Sequence, residues 1–320
     1  MNGAAIHKMT SRTLRLGTRG SALALWQANW TKRELENRWP AVRVDVVSIK
    51  TTGDRILDVP LAKIGGKGLF TKEIDEALLD GRIDLAVHSM KDVPFQLPDG
   101  IEFGAIPERE DARDAFISNG PKIQELKSGA TIGTSSLRRQ VQLRYRLPSL
   151  NLVTLRGNVD TRLRKLDAGD FDGIILAVAG LKRLGHAGRL THILDDDIML
   201  SAAGQGALGI VCRTTDDQTR QLLQALDHVP TRIAVTAERG LLRALGGSCQ
   251  VPIAGKATLA GHTLTIKGLV ADLSGKRMIQ DQLSGTSDRP QELGMQLGER
   301  LLSVGAGEIL AEIARYGTER

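Results

Sequence analysis

The apolar positions of the chain form short runs separated by polar, glycine-bearing stretches, and the runs alternate between strand and helix character. Val42–Ile49 reads VRVDVVSI, the strict alternation of a half-buried strand. Before it, Thr13–Gly17 reads as a short strand, and Ser21 can cap a helix that runs to about Trp39 and stops at Pro40. Residues 51–66 form a glycine-containing loop. A helix is expected over Thr71–Leu79 with Gly81 at C′, followed by an all-apolar strand at Ile83–Val87. The pattern then repeats. Asp114–Ser118, Thr131–Gly133, Leu152–Leu155 and Gly173–Val178 are strand-like. Helices are expected from Ser135 to before Pro148, and over Val159–Leu166 with Gly169 closing the second. Strands alternating with helices imply parallel βαβ units with helices on both sheet faces, hence an α/β fold of two such blocks facing a cleft.

The last third changes character. Thr231–Leu245 looks helical, and Val251–Ala260, His262–Ala271 and Lys276–Leu283 are successive strands joined by glycine-bearing turns. Pro290–Val304 reads as a terminal helix. This is the pattern of a small α+β domain. Leu208–Cys212 is strand-like again and reads as a return to the first block.

At 320 residues the chain has room for two or three domains, and 41% hydrophobic with 25% charged residues is ordinary for a soluble globular protein. No apolar run approaches a membrane span, and the first residues lack the apolar region of a secretory signal, which points to the cytoplasm. In that reducing setting Cys212 and Cys249 are expected as free thiols. Cys249 lies in GGSCQVP, where small neighbours leave the sulfur presented rather than packed.

The net charge of +6 is unevenly placed: residues 131–165 hold seven Arg and one Lys against one acid, Asp160. That excess suggests an anionic partner, against the plainer reading of a solvated helix face. Several local matches fail on context. Gly204–Gly209 fits G-x-G-x-x-G, but a strand-like segment follows where a dinucleotide site needs a helix. Gly65–Gly68 fits a KH-type GXXG, yet aromatics at 3% are too few for a base-stacking surface. The six histidines show no metal spacing and no cysteine pair supports them, so no metal is expected.

What remains is a set of polar segments at the carboxyl ends of expected strands, where open α/β sheets bind ligands. They are Thr18–Ser21, Lys63–Gly68, His88–Asp92, Thr134–Arg139 and Arg156–Asn158. Hydroxyls, helix-start N–H groups and Arg or Lys together make a receptor for carboxylate or phosphate. Ser21, Ser135 and Asn158 are also natural helix caps, which would not explain the cations beside them. Asp92, a carboxylate among cations, is placed to steady a positive centre.

Taken together, RLGTRGSALALWQA (15–28), LAKIGGKGLFTKE (61–73), AVHSMKDVP (86–94), EREDARDAF (108–116), GTSSLRRQ (133–140), LRGNVDTRL (155–163), ILAVAGLKRLG (175–185) and GGSCQVP (246–252) resemble the porphobilinogen deaminase (hydroxymethylbilane synthase) family in order and spacing over about residues 13–315. Departures are small: a serine precedes Cys249 where relatives often have glycine, and Asp160 occupies a variable position.

The resemblance implies two domains of type II periplasmic-binding-protein topology and a third that carries the cofactor cysteine. The first is expected over 1–108 with about 204–224, the second over 109–203 and the third over 225–320. It implies a transferase that joins four porphobilinogen molecules head to tail, each losing ammonia. They add onto a covalent dipyrromethane primer held by a thioether to Cys249, and water then releases hydroxymethylbilane. Asp92 corresponds to the catalytic aspartate. Lys91, Asp92, Thr134, Ser135, Ser136, Arg138, Arg139, Arg156, Gly157, Asn158 and Arg162 are implied for the cofactor. Arg19, Ser21, Lys63, Lys67, Arg156, Arg162, Arg183 and Gln205 are implied for the substrate. Each pyrrole unit brings an acetate and a propionate, for which the bidentate, permanently charged Arg is the natural receptor. The implied partner is this small molecule, with no nucleic acid and no membrane, and the implied state is a monomer.

Overall fold

The structure is a computed structural model and describes residues 12–55, 70–247 and 251–318. Lys63, Lys67, Cys249 and most of the 51–66 loop lie outside the described residues.

The first lobe begins β1 (Arg12–Thr18), α1 (Ala22–Arg38) and β2 (Val42–Ser48). Ser21 caps α1, its hydroxyl accepting from the Ala24 amide at 3.3 Å. At the far end the Trp39 indole donates to the Leu222 carbonyl at 3.2 Å. After a single helical turn, α2 (Thr52–Arg55), come α3 (Lys72–Leu79), β3 (Leu85–Ser89) and β4 (Ile101–Ala105).

The chain then crosses to the second lobe through β5 (Asp114–Ile117). There follow β6 (Thr131–Gly133), α4 (Leu137–Arg146), β7 (Asn151–Val153), α5 (Val159–Asp167), β8 (Gly173–Ala177), α6 (Val178–Arg183) and β9 (His192–Ile193). It returns by β10 (Leu208–Arg213) and α7 (Asp217–Gln224).

The two sheets have equivalent orders, β2-β1-β3-β10-β4 and β7-β6-β8-β5-β9. In each, the first three strands are parallel, and the strand arriving from the other lobe sits fourth, antiparallel to both neighbours. This is the type II periplasmic-binding-protein topology, and the β10 return matches the strand expected at Leu208–Cys212.

The alternation read from sequence becomes two-sided burial. In the first lobe Leu14, Leu16, Val44, Leu85 and Ile210 pack with Leu222 and Leu223 of α7. In the second, Ile174 and Leu176 face α5 through Leu163 and Leu166, while Phe116, Ile132 and Ile175 pack against Leu143 of α4. Gly173 lies under the Phe116 ring, where any side chain would collide.

The last part of the chain is α8 (Val229–Ala244), the antiparallel meander β11 (Ile253–Ala260), β12 (Thr263–Ala271) and β13 (Met278–Thr286), then α9 (Pro290–Leu301) and α10 (Gly307–Thr318). Leu241, Leu297 and Leu301 cover Leu264, Ile266 and Val270 of the sheet, which makes the third domain α+β. The terminal helix expected to Val304 breaks at Gly305, whose φ of 107° suits glycine, and resumes as α10. The structure also adds β4, β9, α6 and α7, which are short or continuous with neighbouring signals. The α4 helix is capped at Ser136, one residue later than the Ser135 start read from sequence.

The two crossover segments lie side by side. The Glu110 amide donates to the Gly206 carbonyl at 3.3 Å, and the Glu110 carbonyl occupies the space a side chain on Gly206 would need. Fully buried Glu238 of α8 grips both. It pairs with Arg109 at 2.6 Å, accepts from the Gly204 amide at 2.6 Å, and accepts from the Ala257 amide of β11 at 2.8 Å.

Candidate active site

The chain leaving β3 tightens into a single 3-10 turn, Met90–Asp92. Met90 is buried, Lys91 is half-buried and Asp92 is exposed, with no hydrogen bond or ion pair to the described residues. Lys91 Nζ donates to Gln205 Oε1 at 3.3 Å. Gln205, on the returning crossover, donates through Nε2 to the Ala112 carbonyl at 2.7 Å and to Asp114 Oδ1 at 3.0 Å. Asp114 opens β5 with no exposed surface and pairs with Arg138 and Arg139, each at 2.7 Å. A continuous polar chain therefore links the first lobe's turn to the start of α4 in the second.

Electrostatics follow from this crowding. Burial disfavours an ionised Asp114, but Arg138 and Arg139 outweigh it and hold the carboxyl far below its ordinary range. Burial lowers the Arg139 guanidinium, with Asp114 opposing. Lys91 is pushed down to about 8, first by burial, with Arg139 and Arg138 adding and Asp92 and Asp114 opposing. Arg162 falls to about 10 through burial and the neighbouring Arg139 and Arg156. Its Nε donates to the Gly157 carbonyl at 2.8 Å, and it has no carboxylate partner among the described residues. Cations that depress one another in a partly dehydrated space create a demand for anions. A primer carrying several carboxylates fits that demand, and Arg156, Arg162 and Lys91 are the residues to hold it.

The structure thus gathers Lys91, Arg138, Arg139, Arg156, Arg162 and Gln205. Thr134 and Ser136 shape the start of α4: Thr134 Oγ1 accepts from the Ser136 amide at 3.3 Å. Ser135 is exposed. Asn158 caps α5, accepting from the Thr161 amide at 2.8 Å. Gly157 before it has φ 114°, a conformation glycine adopts without strain. Arg183 donates to the Gly206 carbonyl at 2.7 Å and lies over the Trp26 ring of α1 at 5.6 Å, bridging the lobes. Burial lowers it to about 10. Arg19 stacks on Phe70 at 4.1 Å, and the Ser21 hydroxyl is spent on its cap.

Asp114 and Glu238 were not singled out as site residues from sequence, and His88 only as part of the His88–Asp92 segment. His88 is buried, with Nε2 unpartnered among the described residues; burial first, then Arg19, lowers it to about 4, so it is neutral. Asp114 follows Glu108, Glu110 and Asp111 in EREDARDAF, and Arg139 lies 25 residues further on, so nothing local marked it out. Glu238 is one charge on an amphipathic helix and gave no hint.

The fold and site define a two-lobed α/β protein with cations gathered between the lobes beside an exposed carboxylate. Comparison with known proteins carries this further. Residues 14–221 match the family model described as porphobilinogen deaminase, dipyromethane cofactor binding domain, and residues 232–303 match the porphobilinogen deaminase C-terminal domain. A porphobilinogen deaminase of Syntrophotalea carbinolica is 55% identical over 306 residues, 95% of this chain and 97% of that protein. One from Trichlorobacter lovleyi is 53% identical over 305 residues, covering 95% and 98%. Among solved structures, a TRAP periplasmic solute binding protein from Desulfovibrio salexigens is similar at 14% identity and a TM-score of 0.43, over 68% of this chain and 73% of that one. The chain belongs to the porphobilinogen deaminase family, enzymes of tetrapyrrole biosynthesis, and the part of it that binds the dipyrromethane cofactor spans the two lobes.

Proposed function

We propose that this protein is a transferase that condenses four porphobilinogen molecules stepwise, with loss of ammonia, and releases hydroxymethylbilane by hydrolysis. When bound through the Cys249 sulfur, dipyrromethane supplies the nucleophilic pyrrole carbon to which the first substrate unit is joined. The observation that carries the reading is Arg162, desolvated among Arg139 and Arg156 with no carboxylate partner among the described residues, inside the region that matches the family's cofactor-binding domain.

Asp92 is assigned to hydrogen-bond pyrrole N–H groups, to stabilise the cation left when substrate loses ammonia, and to help remove the proton from the attacking carbon. Its lack of partners among the described residues leaves both oxygens available. Lys91, Arg156 and Arg162 are assigned to cofactor carboxylates, and Arg19, Lys63, Lys67 and Arg183, with Arg156 and Arg162 again, to those of substrate. Gln205 orients Lys91. Arg138 and Arg139 present their remaining donors from positions set by Asp114. Thr134, Ser135, Ser136, Gly157 and Asn158 offer hydroxyls and backbone N–H groups at the two helix starts. Ser21 presents the N-terminus of α1 to substrate. The domain partition proposed is 1–108 with 204–224, 109–203 and 225–320. The protein is assigned as a cytoplasmic monomer; no helix among the described residues is long and apolar enough to cross a membrane.

Intact-mass measurement tests this directly. The purified protein should be heavier than its sequence by two linked pyrrole units, and Cys249→Ala should lack that increment. An unmodified wild type that still makes the bilane would overturn the reading.

A further inference from the structure

A cavity of about 370 Å³ lies outside the interlobe site, between α3 and the chain that leaves the Met90–Asp92 turn. Thr71, Asp75 and Leu79 recur every four residues and so share one helix face. Pro94, Phe95 and Leu97 form the opposite wall. Arg239 of α8 fixes that wall, donating to the Pro94 and Phe95 carbonyls at 2.8 and 2.7 Å. The polar groups inside are sparsely met. Asp75 is only 8% exposed and has no counter-ion among the described residues; the neighbouring Thr71 hydroxyl alone favours its ionised form. Thr71 is itself 3% exposed. An apolar pocket with a few convergent polar groups is the ordinary form of a small-molecule site, and this volume is in the usual range of a few hundred Å³.

We propose that this cavity binds a small apolar primary ammonium ion. Its cation meets the Asp75 carboxylate and the Thr71 hydroxyl, and its hydrocarbon lies between Leu79 and Phe95. The proposal does not depend on the deaminase reading.

Burial pushes the Asp75 carboxyl up to about 6; the Thr71 hydroxyl opposes this and Glu76 adds to it. The other charges nearby are engaged or peripheral. On α3, Glu73 accepts from the Thr52 amide at 2.8 Å and Lys72 is exposed at the rim. On the strands packed against α3, Arg15 and Arg213 pair with Asp84, Glu102 pairs with Arg220, and His88 is neutral. A cation therefore binds the form of Asp75 that prevails above pH 6, and affinity rises with pH.

Benzylamine is a suitable probe, read by amide chemical-shift changes in the full-length protein. The amides of residues 72–79 and 95–97 should shift together, with affinity about tenfold higher at pH 7.5 than at pH 5. Asp75→Asn should lose that pH dependence, and on the wild type neutral benzyl alcohol should show none. Absent shifts at the solubility limit, pH-independent benzylamine binding, or unchanged binding in Asp75→Asn would each overturn the proposal.

Discussion

The two lobes share a strand order but use their acidic residues in opposite ways. In the first, the chain beyond β3 leaves Asp92 exposed and without partners among the described residues. In the second, Asp114 at the start of β5 is buried and gripped by Arg138, Arg139 and Gln205. Identical side chains thus divide the work. The exposed carboxylate can meet a ligand, whereas the enclosed one fixes cations at set positions. Burial and partners, rather than residue type, decide which carboxylate does chemistry and which builds the receptor.

The sharpest way to break this contrast is at Asp92. Asp92→Asn should reduce turnover by about 10²–10⁴-fold, the range of a lost general acid–base group, with the thermal midpoint unchanged. Near-normal turnover would remove the chemical half of the comparison. Asp114→Asn should do the reverse and strike stability, costing about 3–5 kcal/mol because two buried guanidinium groups lose their counter-charge. Denaturant unfolding reads this, and an unchanged midpoint would show that the arginines are held some other way.

Arg162→Leu tests the receptor without touching either carboxylate. A lost charge-assisted contact of about 1.5–3 kcal/mol should raise KM for porphobilinogen roughly tenfold or more. The smallest effect is one of pH. Lys91 is depressed to about 8, mainly by burial, so it sheds its proton as pH rises through that value and attracts anions less. KM should climb a few-fold between about pH 7.5 and 9, and Lys91→Arg should flatten the climb, because guanidinium keeps its charge there.

Much of the architecture was readable because its signals are local. Ser21 and Asn158 announce α1 and α5 as caps, and VRVDVVSI announces β2 by alternation. The polar segments at Thr18–Ser21, His88–Asp92, Thr134–Arg139 and Arg156–Asn158 fall at the ends of strands β1, β3, β6 and β7 for the same reason, while Lys63–Gly68 lies outside the described residues. What escaped depends on residues far apart in sequence. Gln205 reaches Asp114 across the second crossover, and Glu238 reaches Arg109 from another domain. The dense basic stretch also proved divided in purpose. Arg138 and Arg139 turn inward to Asp114, whereas Arg144 donates to the Leu273 carbonyl at 2.6 Å and Arg146 to Gln280 at 3.1 Å, joining the second lobe to the third domain. Charge density alone could not separate an anion receptor from an interdomain seam.

The hold of Glu238 on Arg109, Gly204 and Ala257 has a mechanical consequence. The helix that carries it ends at Ala244, and Gly246 and Gly247 follow just before the segment that contains Cys249. One buried carboxylate therefore clamps both crossover segments and the third domain's sheet to a single helix, so the three parts of the molecule cannot part there without stripping that charge of its partners.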